Sequence, residues 1–203
     1  MKNPPTSIIN KEVNWDKTQT IVSKTDIYGT ILYANNAFTD ACEYNAIELI
    51  GEPHNIIRHP DMPKVAFKAL WSALKEGKNY HAIVKNLTKT GKYYWVITDF
   101  TIDKDETGKT TGYTGRRKAV PNSVVEKIEP IYNTLLKIEK TKGELASELY
   151  LDAYLKEEIG KSYDEFVVDL FKEESKKDEE KQNETSKFKK GLNWFFFGDT
   201  NPQ

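Results

Sequence analysis

Three prolines within eleven residues, Pro53, Pro60 and Pro63, bar any long regular element from the segment PHNIIRHPDMP. That segment must be an ordered loop or a series of tight turns, and it divides the first 120 residues into two unlike parts. Upstream, TIVSKTD over 20–26 and TILYA over 30–34 read as strands joined by the turn residues Asp26 to Gly29. Asn35 and Asn36 then stand as capping residues before Ala37, Phe38, Ala41 and Cys42 at helical spacing. A second short helix over 46–50 stops at Gly51.

Downstream, Val65, Ala66, Ala69, Leu70, Ala73 and Leu74 mark an amphipathic helix that carries Phe67 and Trp71 and ends at Gly77. Three strand-like stretches follow over 80–88, 93–102 and 110–119. Thr90-Gly91 and residues 105–108 supply the turns between them. Two strands, several short helices and a three-strand meander define an α+β domain. The expected sheet has five antiparallel strands with short helices on one face and a hollow between the two layers.

The expected organisation has four parts. Residues 1–12 are flexible, 13–120 form the domain, 121–172 a helical extension, and 173–203 a disordered tether. In the extension, Ser123 and Glu126 make a capping box before a helix bearing Val124, Ile128, Tyr132 and Leu135, and Pro130 is expected to kink it. Ser162 and Glu165 make a second box before Phe166, Val167, Leu170 and Phe171. From Glu173 to Lys190 only Phe188 is apolar, the pattern of a solvated linker. It leads to the cluster LNWFFF over 192–197.

Charge and cysteine use exclude several functions. Lys plus Arg number 30 against 31 for Asp plus Glu, so no global field draws the chain onto nucleic acid. The single cysteine, Cys42, permits no intramolecular disulfide and no cysteine-based metal cluster. His54, His59 and His81 are too few and wrongly spaced for a metal centre. No run of about 20 apolar residues offers a membrane helix, and no apolar leader follows Met1, so a cytoplasmic protein is expected. Gly-rich dinucleotide loops, a P-loop and a nucleophile elbow are all absent, which argues against an enzyme.

The proline-rich loop is chemically pointed. Arg58 offers a planar fork of donors suited to phosphate oxygens. His59 and Asp61 beside it can exchange hydrogen bonds with sugar or phosphate groups. Trp71 can wall or stack on an aromatic ring. Asn86, on a central strand, has an amide that can match the donor and acceptor edge of a heteroaromatic ring, and Asn35 can do the same from the other side. A plainer account stands beside each of these. Arg58 and Asp61 can pair within the loop, Trp71 can be core, and Asn86 can serve neighbouring backbone.

The segment GEPHNIIRHPDMP over 51–63, with Phe67, Trp71, Gly77, Val84-Lys85-Asn86, Lys89, Gly91 and Tyr94-Trp95-Val96, resembles the PAS domain of aerotaxis and energy-taxis receptors. The resemblance runs from Val13 to Arg117, about half of the chain. It implies a PAS fold that holds FAD non-covalently and reports redox or energy state to the chemotaxis machinery. By resemblance the flavin contacts are expected at Arg58, His59, Asp61 and Trp71. The chain departs from the family at Tyr80, where tryptophan is common, and at His81-Ala82, where bulk is expected to reshape the pocket mouth.

The form is most similar to a stand-alone PAS subunit acting on a membrane-bound chemoreceptor-type partner, with a homodimer as a further possibility. A cofactor-free adaptor and a haem sensor using His59 or His81 are the alternatives. The Asn193 to Phe197 cluster loosely resembles a chemoreceptor tail motif. Beside Lys187, Lys189 and Lys190 it equally suits peripheral membrane contact.

Overall fold

The computed structural model describes residue 5 and residues 7–181, with side chains as far as Glu173. Strand β1 (Ile21–Asp26) alternates buried and less buried positions, as a half-covered strand must. Asp26 makes the turn into β2 (Ile31–Ala34): its Oδ1 accepts from the backbone N–H groups of Tyr28 at 2.8 Å and Thr30 at 2.9 Å. Strands β3 (Tyr80–Leu87), β4 (Tyr93–Lys104) and β5 (Thr110–Ala119) form the meander. The sheet order is β2-β1-β5-β4-β3 with every pairing antiparallel.

Three helices lie between β2 and β3. They are α1 (Asn36–Cys42), α2 (Ala46–Leu49) and α3 (Lys64–Lys75), with one 3₁₀ turn at His54–Ile57. The helix α3 begins directly after Pro63 and buries Val65, Ala66, Leu70 and Leu74 against the sheet. The loop after the 3₁₀ turn runs along the free edge of β3, where Arg58 forms an isolated antiparallel bridge with Asn86. That contact covers an edge strand that would otherwise offer unpaired backbone groups.

Glu43 ends α1 in the left-handed region at φ 59°, unusual for a residue with a side chain. Its carboxylate accepts from Thr88 Oγ1 and Lys92 Nζ, each at 2.7 Å, and from Thr90 Oγ1, and so pins the β3–β4 turn. Burial raises its pKa, but the bonds from Lys92, Thr90 and Thr88 outweigh this and pull it down to about 2. A carboxylate held low stabilises the fold above its ordinary range and stops doing so as it protonates. Glu43→Gln is therefore expected to cost about 1 kcal/mol at neutral pH. The gap from the wild type should close as pH falls from about 4.3 through about 2. Urea melts across that range measure it, and a gap surviving at still lower pH would exclude this cause.

The extension packs as part of the same body. Helix α4 (Asn122–Lys142) is followed by α5 (Glu144–Tyr154), a π turn at Leu155–Ile159, and α6 (Tyr163–Lys181). Val124, Ile128, Tyr132 and Leu135 of α4 are buried and continuous with the core of the sheet. Tyr132 stacks on Trp95 at 6.2 Å and donates to the carbonyl of Ile83 at 2.6 Å. Glu139 of α4 accepts from the Val65 N–H at 3.0 Å, capping α3 from another helix. The sheet is thus covered on its second face as well.

Two element bounds differ from the sequence reading. The helix α4 starts at Asn122 with Pro121 as its N-cap and no side-chain cap bond, so Ser123 falls inside it. Pro121 stands two residues before the expected cap Ser123, its φ fixed at −60° with an extended ψ of 144°. Pro130 lies within α4 without ending it. Helix α6 runs on to Lys181, past Glu173 where the tether was expected to begin, because Glu and Lys are strong helix formers even without an apolar face. The second box does form, with Ser162 N–H donating to Glu165 at 2.9 Å and Glu165 N–H to Ser162 Oγ at 3.3 Å. The aromatic cluster over 192–197 lies outside the described residues.

Candidate functional site

Between the inner face of the sheet and α3 lies a cavity of about 390 Å³, within the roughly 300–1,000 Å³ range of ligand sites. Its apolar walls are Phe67, Leu70, Trp71 and Leu74 from α3, Val84 from β3, and Phe100 and Tyr113 from β4 and β5. Trp71 meets Tyr113 edge to face at 5.5 Å. The polar lining comes from Ser23, Thr25, His54, Arg58, Asn86, Thr98 and Arg117. The period of two along each strand places these polar side chains between apolar ones on a single face.

Of the residues singled out from the sequence, the cavity brings together Arg58, Trp71 and Asn86. Arg58 is half-buried, its guanidinium 4.4 Å from the Phe67 ring centroid and donating to the Met62 carbonyl at 3.3 Å. Burial lowers its pKa, with Glu139 and Glu144 acting in the opposite direction. The expected alternative, an Arg58–Asp61 pair within the loop, does not form. Asp61 pairs instead with Lys85 at 3.3 Å and lies 3.5 Å from His59 Nδ1.

His59, Asp61 and Asn35 stand outside the cavity lining. His59 is buried, its Nδ1 accepting from the Asp61 N–H at 3.1 Å and its ring meeting the edge of Tyr93. Burial lowers its pKa most, and the Asp61 charge opposes this. These two residues shape the loop that presents Arg58. Asn35 is largely engaged: its Oδ1 accepts from Val22 N–H at 2.9 Å and Phe38 N–H at 3.0 Å, and its Nδ2 donates to the Thr20 carbonyl at 2.8 Å. It ties β1 to the start of α1, which leaves only its second Nδ2 hydrogen for any other partner.

The strand departures do not touch the cavity either. His81 turns to α6, where its backbone N–H and Nδ1 meet Asp164 Oδ1 at 2.7 and 2.9 Å, and Tyr80 stacks on Tyr163 at 5.9 Å. The expected reshaping of the pocket mouth is therefore replaced by docking of the extension. Neither His59 nor His81, the two weighed for haem, lines the cavity. No group of three metal-ligating side chains occurs among the described residues.

Sequence reasoning missed the most unusual corner of the site. Arg117 is buried in it and His54 half-buried, with Arg117 Nη2 and Ser23 Oγ each 3.0 Å from His54 Nε2. Arg117 Nη1 also donates to Ser23 Oγ at 3.0 Å and to the Gly115 carbonyl at 3.2 Å. Burial first, then the Arg117 charge, brings the His54 pKa down to about 3. Gly115 leaves the room this arrangement needs, since a Cβ there would stand 2.7 Å from Arg117 Nη2. The available signal was the alternation Tyr113, Gly115, Arg117 on β5.

Two buried polar atoms in the lining, Asn86 Nδ2 and Thr98 Oγ1, have no hydrogen-bond partner. A donor and a hydroxyl left unmatched in a buried wall mark a surface suited to a polar-edged guest. Aromatic walls, unmatched polar atoms and a buried cation together fit a planar heteroaromatic ring such as a flavin.

Residues 31–117 match the family model described as PAS fold. The chain is 40% identical over 116 residues to the aerotaxis receptor of Escherichia coli (strain K12), covering 57% of this chain and 23% of the receptor. It thus spans less than a quarter of that relative's length. A light-oxygen-voltage domain solved in work on a flavin analogue superposes with a TM-score of 0.51 at 19% identity, covering 54% of this chain and 84% of that one. Strand order, family match and receptor likeness agree that the sheet-bearing part of this chain has the PAS fold and is similar to part of an aerotaxis receptor.

Proposed function

We propose that this chain is a cytoplasmic, non-enzymatic PAS sensor that holds FAD in its cavity. It reports redox or energy state through a membrane-bound chemoreceptor-type partner. The observation that carries the reading is the cavity wall itself, where unmatched Asn86 and Thr98 stand beside Arg117 between aromatic side chains. Similarity to an aerotaxis receptor supports the signalling role. No helix among the described residues is long and apolar enough to cross a membrane.

A bound flavin would supply a ring that exchanges electrons and grows more negative on reduction. The protein's own residues do the rest. Trp71 and Tyr113 wall the ring and keep water from it, and Asn86 and Thr98 offer hydrogen bonds to its edge. Arg58, half-buried, presents its fork to the pyrophosphate.

The test is an absorbance spectrum of protein purified from a flavin-rich host, with the released cofactor identified after denaturation. The wild type is expected to be yellow and to release FAD. Arg58→Ala removes charge-assisted bonds worth about 1.5–3 kcal/mol, so FAD affinity should fall by tenfold or more. A wild type that stays colourless after incubation with FAD would replace this reading with a cofactor-free adaptor. Undiminished FAD affinity in Arg58→Ala would move the phosphate site elsewhere.

A further inference from the structure

Arg117 carries a positive charge into the interior with no acid beside it. It is 2% exposed, and its side-chain hydrogen bonds go to Ser23, Gly115 and His54. Among the described residues it forms no ion pair with a carboxylate, whereas its neighbour Arg116 lies 3.9 Å from Asp99. Its hydrogen-bond partners cannot neutralise it. A guanidinium only donates, so His54 Nε2 must accept from Nη2; the imidazole keeps its single proton on Nδ1 and stays neutral. Ser23 Oγ accepts from Nη1, and its own proton competes with Nη2 for the single lone pair of the same His54 nitrogen. The group therefore has a net charge of +1.

A buried charge without a counter-charge is costly, and proteins usually pair it or leave it in water. Here the fold instead makes room for it, through the missing Cβ of Gly115. The register places Arg117 directly across from Thr98, whose hydroxyl is unmatched, and both line the cavity. The absent counter-charge is the property a guest can bring.

We propose that Arg117 sets the redox preference of the bound ring, its fixed charge holding the reduced, more negative flavin more tightly than the oxidised one and so raising the midpoint potential. This rests on the flavin-binding reading above. Electrons come from an external one- or two-electron reductant. Arg117 passes neither electron nor proton; it supplies a charge and its position. His54 and Ser23 are positioning residues that hold the guanidinium against the wall. Arg58 has a different task, since it meets the phosphates whatever the state of the ring.

The experiment is a spectroelectrochemical titration of the flavin-loaded full chain, comparing wild type with Arg117→Gln, Arg117→Lys and Ser23→Asp. Arg117→Gln removes the charge, and Ser23→Asp places a carboxylate against it while leaving Arg117 in place. Each is expected to weaken the preference for reduced over oxidised flavin about tenfold, a fall of about 59 mV for a one-electron couple or about 30 mV for two electrons. Arg117→Lys keeps the charge and should keep most of the potential. If Arg117→Gln loses its flavin, affinities of the flavin-free protein for oxidised and reduced FAD give the same ratio. Should it not fold, Ser23→Asp carries the comparison alone.

Loaded variants with the wild-type midpoint, or affinities reduced equally for both redox states, would overturn the proposal and leave flavin binding intact. A wild type without flavin would overturn both.

Discussion

Tyr132→Ala is expected to destabilise the whole described body by about 3–5 kcal/mol, the range for emptying a large aromatic site in a core. Tyr132 is 1% exposed and sits on the second face of the sheet, where it stacks on Trp95 of β4. Its hydroxyl bonds to the Ile83 carbonyl of β3 and to the Tyr163 hydroxyl of α6. One side chain therefore joins α4, two strands and the last helix. Truncating it leaves a cavity and strips the Ile83 carbonyl of a donor. Tyr132→Phe isolates the hydroxyl share and should cost about 1 kcal/mol. Urea melts followed by tryptophan fluorescence and far-UV circular dichroism should give one coincident transition in all three proteins. A wild-type melt in which the helical signal is lost first would show that the extension is detachable.

Phe38→Ala is the second large effect, again about 3–5 kcal/mol. Phe38 is fully buried on α1, its ring parallel to the His54 imidazole at 5.7 Å and its centroid 5.5 Å from the Arg117 guanidinium carbon. It forms a floor under the charged corner of the cavity. Removing it gives His54 and Arg117 space to move, so flavin affinity should fall together with stability. Phe38→Leu refills most of the volume and should recover most of the stability, though not the face-on contact with His54. Denaturant midpoints at unchanged m-value read the effect. A loss under about 1 kcal/mol would mean that the site collapses around the gap.

Much of the fold was legible because it depends on local patterns. β5 was read at its observed bounds, and the order of strands and helices needed only periodicity and turn residues. Of the candidate site, the cavity lining was legible where a residue was chemically conspicuous in the sequence, as Arg58, Trp71 and Asn86 are. It was illegible where the role depended on what the fold brings from afar. Asn35 reads equally well as a cap or as a ligand until Val22 and Thr20 are seen to engage it. Asp61 looks like a partner for Arg58 until Lys85, 24 residues on, arrives beside it. Arg117 and His54 are 63 positions apart and neither sits in a recognisable pattern with the other.

Lys85 also joins the two sides of the sheet. Its ammonium, on a largely buried side chain, is held 3.3 Å from Asp61 in the loop that presents Arg58 and 3.2 Å from Glu129 on α4. Loop and helix share one node and cannot shift in opposite directions without breaking one of those ion pairs. Asp61 lies three residues beyond Arg58, so a displacement of the cavity-lining arginine has a very short chain to cross before it reaches that node. A single ammonium at the rim of the sheet thus ties the cavity loop to the long helix on the opposite face.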